Sequence, residues 1–396
     1  MDAAALDALL GDTAAEREES WRYSRNALRA LTQGAFAASA ADAAPEPALL
    51  ARADWEATRG RRVVFVNGVA SARWSDTSAL GEAVQVAHDG TQARIVLRDG
   101  AKGALHLVYL SQPGATATLW QGALTLEAQS GATDVIENHL AGYSPLPLAG
   151  EVGAQSAPGE GGARRSLDVL GVLRCEYRIA PGARLRLLAL SDLDASASLI
   201  RRQHTHIAAG AALDATIALF GGRLQRTDLR VELAETGARC RLRGAFVPSA
   251  REHVDVQLDI RHAARDTASD VLWRGVADGR GRGILRGAIT VAAGADGADA
   301  QLATKNLLLS PHAEIDAQPV LEIHADEVKA AHGATVGQLD DRALFYLRSR
   351  GVPAALARQL LIAGFCREAL DTAAPEFVAS LEALLAARLP QTGAEA

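Results

Sequence analysis

The sequence predicts a mainly β protein, a sandwich or a solenoid of many short strands, with helical segments at both ends. Three observations lead there. The 396 residues are 48% hydrophobic but only 4% aromatic, with a single Met, so the core must be built from Ala, Val, Leu and Ile, which suit narrow layered strands. Between about Arg62 and Val336, short apolar runs are separated by Gly, Asp and Asn. Helical spacing of apolar residues is confined to the two ends. A chain of this length buries a substantial core, as one large domain or two to three smaller ones.

Taken in order, Leu6, Leu9, Leu10, Trp21, Leu28 and Leu31 lie among charged residues and predict one or two amphipathic helices. Ala37 to Ala48, rich in Ala with Pro45 and Pro47, reads as a linker. Strands are predicted at Val63 to Val66, Arg94 to Leu97, Ala104 to Leu110, Leu185 to Leu190 and Val254 to Ile260. Asp255-Val256-Gln257-Leu258-Asp259-Ile260 alternates strictly, which buries one face only. Gly210, Gly222, Gly237 and Gly244 read as turn residues. The repeat is irregular, so periodicity leaves sandwich and solenoid both open. Past Gly337 the pattern turns helical. Asp340 is an N-cap for a helix carrying Leu344 and Leu347, Gly351 its stop, and Pro353 the first turn of the next helix. That helix places Leu356, Leu360, Leu361 and Gly364 on one side with Cys366 off the row, and a third helix after Pro375 carries Val378, Leu381 and Leu385. These helices cap the β core, form a docking module, or both.

The formal net charge is −6 and basic residues are scattered, so nucleic acid is not an expected partner. The acidic start Met1-Asp2-Ala3-Ala4-Ala5-Leu6-Asp7 is unlike a signal peptide, and no run reaches the length of an apolar span; the expectation is a soluble, cytoplasmic protein without membrane partners. Cys175, Cys240 and Cys366 form no C-x-x-C pair and read as small buried hydrophobes instead of a disulfide framework or zinc site. There is no P-loop; Gly279-Arg280-Gly281-Arg282-Gly283 reads as a turn with its charges in solvent, and no G-x-S-x-G elbow is present. Any ATPase acting with this chain must be another protein. His204 and His206, two apart, face one way on a strand, as do Glu322 and His324, but without a companion ligand at fixed spacing they read as polar strand faces. His332, before Gly333, sits in a turn-rich setting from which a side chain can project at the end of the β core.

Lys305 to Gly351, KNLLLSPHAEIDAQPVLEIHADEVKAAHGATVGQLDDRALFYLRSRG, resembles the C-terminal signature of the SufD family of iron–sulfur cluster assembly proteins. The runs that carry it are Asn306 to Ser310, Leu321 to Ile323 with Ala325 and Asp326, His332 to Gly337, and Leu344 to Gly351. Glu19-Ser20-Trp21-Arg22-Tyr23-Ser24 and Val64 to Gly68 extend the resemblance towards the N-terminus. It implies a right-handed parallel β-helix core, residues 62–337, between an N-terminal helical region and linker (1–61) and a C-terminal helical domain (338–396) that docks the SufC ATPase. It further implies a non-catalytic scaffold that pairs with the paralogue SufB, with His332 of the HGATVG run as ligand to a nascent iron–sulfur cluster shared with a SufB cysteine; an imidazole can ligate iron in such a site. SufB carries that cysteine just before the position of Leu307, where this chain has Ala303-Thr304-Lys305-Asn306. Many family members also have Cys two residues before the histidine, where Ala330 stands here, so a two-ligand Cys/His donation is excluded. A reduced flavin in the assembled complex is left open. Rival readings are a β-helix carbohydrate-active enzyme and a homodimeric iron or cluster carrier.

Overall fold

Strand after strand in the central region buries alternate side chains and then turns, which lays successive strands alternately into two facing sheets. The computed structural model describes residues 21–32, 36–38, 44–53, 55–114, 116–141, 168–370 and 375–388. The helix expected through Leu6, Leu9 and Leu10 lies outside the described residues. The helices are α1 (Arg25–Thr32), α2 (Pro47–Arg52), α3 (Asp341–Ser349), α4 (Ala354–Arg367) and α5 (Pro375–Arg388). The early strands are β1 (Ala37–Ala38), β2 (Arg62–Val66), β3 (Val69–Ala70), β4 (Val84–Asp89), β5 (Gln92–Leu97), β6 (Leu105–Ser111), β7 (Thr118–Ala128) and β8 (Ala132–Ala141). The regular part follows with β9 (Val169–Ile179), β10 (Arg184–Leu193), β11 (Ala197–Ile207), β12 (Ala212–Gly221), β13 (Leu224–Leu233) and β14 (Arg239–Val247). It ends with β15 (His253–His262), β16 (Ala268–Ala277), β17 (Arg282–Val291), β18 (Asp299–Leu308), β19 (Glu314–Ile323) and β20 (Lys329–Gly337).

One sheet runs β19-β17-β15-β13-β11-β9-β7-β5-β4, with β1 beside β7, and the other runs β20-β18-β16-β14-β12-β10-β8-β6-β2-β3. All neighbours are parallel except β2 with β3 and β4 with β5. Parallel strands two apart in sequence with consecutive strands in opposite sheets make a parallel β-solenoid of about seven turns, so the solenoid alternative holds and the sandwich does not. Ala212 pairs with Arg239 and Arg239 with Ala268; the turn takes 27 and then 29 residues, an irregularity that hid the repeat in the sequence.

The core is the lumen between the sheets. Leu105, Val135, Leu187, Ala215, Leu242, Val271 and Leu302 stack in register as one buried column, each large member worth about 2 kcal/mol on burial. In β15, Val256, Leu258 and Ile260 fill the lumen as the alternation predicts, but Asp255 is buried too, because the N-terminal segment covers that outer face. Gly210 and Gly237 occupy corners at φ 63 and 76. Gly244 does not: it lies inside β14, where a Cβ would come within 2.5 Å of the Trp273 ring, so close packing and not a turn requires glycine. Arg282, expected in solvent, begins β17 and is paired with Glu314 at 3.0 Å and Asp316 at 2.9 Å. The expected linker is partly structured: Ala37 and Ala38 pair with Thr118 and Leu119 of β7, and α2 begins at Pro47.

The helices flank the solenoid instead of capping its end. Trp21 and Leu31 cover Leu170, Val172, Ile200 and Leu224 on the first sheet's outer face. Ile362, Cys366, Leu370, Leu381 and Leu385 cover Leu188, Leu190, Phe220, Val247 and Val276 on the second sheet's outer face. Asp192, buried at the end of β10, takes Arg52 of α2 and, at 2.6 Å, Arg388 of α5, so one carboxylate anchors helices from both ends of the chain. The helix starts follow the sequence closely, with Asp340 accepting from the Arg342 N–H and Pro353 as the N-cap of α4. The apolar row of α4 differs from expectation. Ala357, Ile362 and Cys366 are buried, whereas Leu356 and Leu360 are exposed, so the helix turns the face of Ile362 and Cys366 onto the sheet and leaves the expected leucine row outside.

Candidate functional site

The solenoid ends in an open rung. β19 and β20 are the last strands of their sheets, and β20 has no buried residue. His332 is in β20, within regular strand and not in a turn, opposite Leu302. It therefore terminates the apolar lumen column, with its imidazole on the lumen-facing side of an exposed edge. Ala330 pairs with Ala300 and is half-buried against the core, so it shares that side with His332. Across the mouth, the lumen-facing positions of β19 are Ile315, Ala317, Pro319, Leu321 and Ile323, in register with Gly283, Leu285, Gly287, Ile289 and Val291. The rim around the imidazole is thus apolar, and Ile323 and Val336 are 43% and 47% exposed.

The backbone at this end is as informative as the side chains. Lys329 N–H donates back to Ala298 O, and in a parallel ladder the direction alternates by residue. The N–H and C=O groups of Ala330, His332, Ala334 and Val336 consequently point out from the open edge. In β19, Glu314 and His324 donate back to Gly281 O and Val291 O, which turns Ile315, Ala317, Pro319, Leu321 and Ile323 outward. Pro319 has no N–H, so the edge of β19 is interrupted at its middle while the edge of β20 is continuous. Asn306, buried in β18, donates its carboxamide N–H to Thr335 O at 3.0 Å and so ties β20 to the preceding rung.

The other sequence candidates are placed elsewhere. His204 and His206 project outward from β11 and are split between partners, His204 to Glu176 of β9 and His206 to Glu232 of β13, each at 3.4 Å; carboxylates do accompany them, one per imidazole on opposite sides. Glu322 and His324 are exposed at the outer end of β19. Among the described residues no group of three or more His, Cys, Asp or Glu side chains is arranged to hold a metal ion. All three cysteines are buried. Burial pushes the Cys175 and Cys366 thiols up to about 12 and the Cys240 thiol up as well, so each is a protonated core side chain at neutral pH.

Two constellations escaped the sequence reading. Ser24 of the Trp21-to-Ser24 element lies 2.8 Å from His253 Nε2 and donates to Asp255, whose carboxylate also takes Arg226 at 2.8 Å; the Arg226 guanidinium lies 4.0 Å over the Trp21 ring. The Ser24 proton is committed to Asp255, so its oxygen can only accept from the imidazole. Burial holds His253 down at about 4. The arrangement fastens the N-terminal segment to the first sheet and does not activate a nucleophile. The second is a charged network inside the lumen. Glu137 takes Arg201 at 2.7 Å, Tyr177 through its hydroxyl and His139 at 3.4 Å, and Phe65, Tyr109 and His139 stack with ring centroids 4.5 Å apart. Burial alone would raise the Glu137 carboxyl, but Arg201 and its hydrogen bonds bring it down to about 2; burial lowers His139, only partly opposed by Glu137. The signal was parity: Arg201, Gln203 and Thr205 share the register of Leu199 and Ile207, so polar groups occupy the core side of β11.

A second surface stands out on the C-terminal helices. Phe345, Tyr346, Leu356 and Leu360 are 72%, 57%, 46% and 51% exposed, with Arg342, Arg348, Arg350 and Arg358 exposed around them. No helix among the described residues is long and apolar enough to cross a membrane.

Comparison with known proteins bears on both surfaces. A family model described as the SUF system FeS cluster assembly, SufBD core domain, matches residues 165–365, which include β20 and nearly all of α4. The chain is 37% identical over 150 residues to the iron–sulfur cluster assembly protein SufD of Escherichia coli, covering 38% of this chain and 36% of that protein. It is 33% identical over 210 residues to an iron–sulfur cluster assembly SufBD family protein of Mycobacterium tuberculosis, covering 51% and 53%. A Synechocystis SufBD family protein is 34% identical over 152 residues, 38% and 34%. The matches span about a third to a half of the length of these relatives. Because the family model takes in just over half of the 396 residues, with β9 to β20 and so the open rung inside the matched region, the chain belongs to the SufBD family of iron–sulfur cluster assembly proteins.

Proposed function

We propose that the chain fills the SufD role: a non-catalytic, cytoplasmic scaffold that pairs with SufB through its open rung and binds a SufC-type ATPase through its C-terminal helices. A nascent iron–sulfur cluster, the cargo of the complex, is held between His332 and a SufB cysteine. The observation that carries this reading is the position of His332, an imidazole ending an apolar column at a continuous, unpaired strand edge. One imidazole is too few for a cluster, which needs several thiolate or imidazole ligands, so the remaining ligands belong to whatever completes the edge. An added strand would hydrogen-bond the backbone of His332 and its neighbours while its own side chains closed the lumen. The absence of Cys from Ala303-Thr304-Lys305-Asn306 supports SufD over SufB. The exposed Phe345, Tyr346, Leu356 and Leu360 with their arginine surround suit an interface of apolar centre and charged rim. ATP hydrolysis belongs to the partner, whose movement would open the SufB contact to iron and sulfide.

The test is anaerobic co-expression of wild type and His332→Ala with SufB and SufC. The expected result is a complex of unchanged stoichiometry whose cluster absorbance is lost or strongly reduced, because one ligand disappears without an apolar contact. Wild-type cluster yield in the variant complex would remove the ligand role, and failure of the wild type to pair with SufB would remove the scaffold role.

A further inference from the structure

One stretch of the lumen is polar across both sheets. Glu137 and His139 enter it from β8, Ser191 from β10, Arg201 from β11, and Gln225 and Thr227 from β13; all six are at least nine-tenths buried. His139, Ser191, Arg201, Gln225 and Thr227 line a small chamber of about 10 Å³ among buried side chains, whose other walls are aliphatic. That corresponds to one water and little more.

The chamber walls carry polar atoms without partners among the described residues. Arg201 uses Nη2 on Glu137, while among the described residues its Nε and Nη1 find no acceptor and Ser191 Oγ, Gln225 Oε1 and His139 Nδ1 have no partner. The Gln225 amide is oriented by its Nε2, which donates to the Phe220 and Gly221 carbonyls at 3.2 and 3.3 Å, so Oε1 is an acceptor by geometry. His139 is neutral and gives its Nε2–H to Glu137, which leaves Nδ1 as a second acceptor. A buried polar group with no partner costs about 1–3 kcal/mol, and this chamber concentrates several of both kinds.

We propose that the chamber is a binding site for one water molecule, which accepts from Arg201 and donates to Gln225 Oε1 and His139 Nδ1. The mixed lining selects a neutral molecule that is both donor and acceptor. An anion would meet two acceptor lone pairs, and Glu137 already balances Arg201. A metal cation would meet the guanidinium. Volume excludes anything much larger. The site is separate from the open rung and independent of the role proposed for His332.

A high-resolution crystal structure of the full chain, from native and bromide-soaked crystals, tests it. The expected result is a density peak within hydrogen-bond reach of Arg201 Nε or Nη1 and of Gln225 Oε1 or His139 Nδ1, with no anomalous signal after bromide. In solution, oxygen-17 relaxation dispersion should count one fewer long-lived water in Ser191→Val, or in Leu199→Phe, which fills the chamber from its aliphatic wall. Arg201 turned onto protein acceptors with no density in the chamber would overturn the proposal, as would bromide bound there or an unchanged water count in a folded filling variant.

Discussion

Removing Arg201 should destabilise the solenoid from inside and give it a new dependence on pH. Glu137 has no exposed surface, and its carboxyl is held at about 2 against an ordinary 4.5, which corresponds to about 3 kcal/mol in favour of the ionised folded form. Because the folded value is depressed, that contribution is complete above the unfolded value and is lost as pH falls towards about 2, so this group gives wild type no slope between pH 5 and 7. Arg201→Met leaves a buried carboxylate with only Tyr177 and His139 beside it, at a cost of about 3–5 kcal/mol at neutral pH. In that variant burial raises the folded carboxyl above its unfolded value, so its stability should increase as pH falls from 7 to 5. The double variant Arg201→Met/Glu137→Gln removes both charges and should recover most of the loss, since replacing a buried pair by neutral groups of similar volume is often near neutral. Urea unfolding followed by tryptophan fluorescence and far-UV circular dichroism at the two pH values reads all three. An Arg201→Met protein within about 1 kcal/mol of wild type, with no new pH slope, would refute the buried pair.

Leu360→Asp and Phe345→Ala, on the outward surface of α4 and α3, should leave the unfolding midpoint unchanged and abolish capture of the ATPase in a pull-down, whereas Ile362→Asp, 2% exposed on the opposite face, should unfold or aggregate; equal loss of stability in all three would make the whole surface structural. Cys175→Ala and Cys366→Ala should keep full cluster yield in the co-expressed complex and lose about 1 kcal/mol of stability through packing; a folded variant that lost the cluster would reassign the thiol. Pro319→Val restores an N–H to the middle of the β19 edge and should promote self-association of the isolated chain, visible as higher mass by light scattering at raised concentration; an unchanged mass would mean that the proline does not guard that edge.

The mainly β centre and the terminal helices were legible because each rests on a local signal. Strict alternation in Asp255 to Ile260 fixed a strand with one buried face, and Asp340, Gly351 and Pro353 punctuated the helices to within a residue. The sandwich and solenoid alternatives were not separable, since the turn length varies between neighbouring rungs and only pairing across about 28 residues distinguishes them. Helix orientation in α4 failed for a related reason: Leu356, Leu360 and Leu361 form the more hydrophobic row, but it is the face of Ala357, Ile362 and Cys366 that is buried, with Ile362 and Cys366 packed on Leu188, Leu190 and Phe220, a partner surface that the sequence of the helix does not contain. The lumen network was invisible because Glu137 and Arg201 are 64 residues apart and meet only across two sheets. His332 is a candidate by family resemblance alone; nothing local in the sequence distinguishes it from an ordinary surface histidine.

At the open rung two properties coincide. In β20 the residues whose backbone groups face the free edge, Ala330, His332, Ala334 and Val336, are the same ones whose side chains face the lumen. A strand that satisfies those N–H and C=O groups must also lay its own lumen-facing side chains over the imidazole. Association and burial of His332 are therefore one event in the proposed complex, and an iron ligated there would move from a solvated edge into an apolar chamber as the partner closes. A ligand in a dry site binds more strongly to a charged centre and exchanges more slowly with water. Opening and closing the same contact would then govern both access of iron and sulfide and retention of what they form, with the continuous β20 edge as the hinge of that control and Pro319 limiting how far the other sheet can follow.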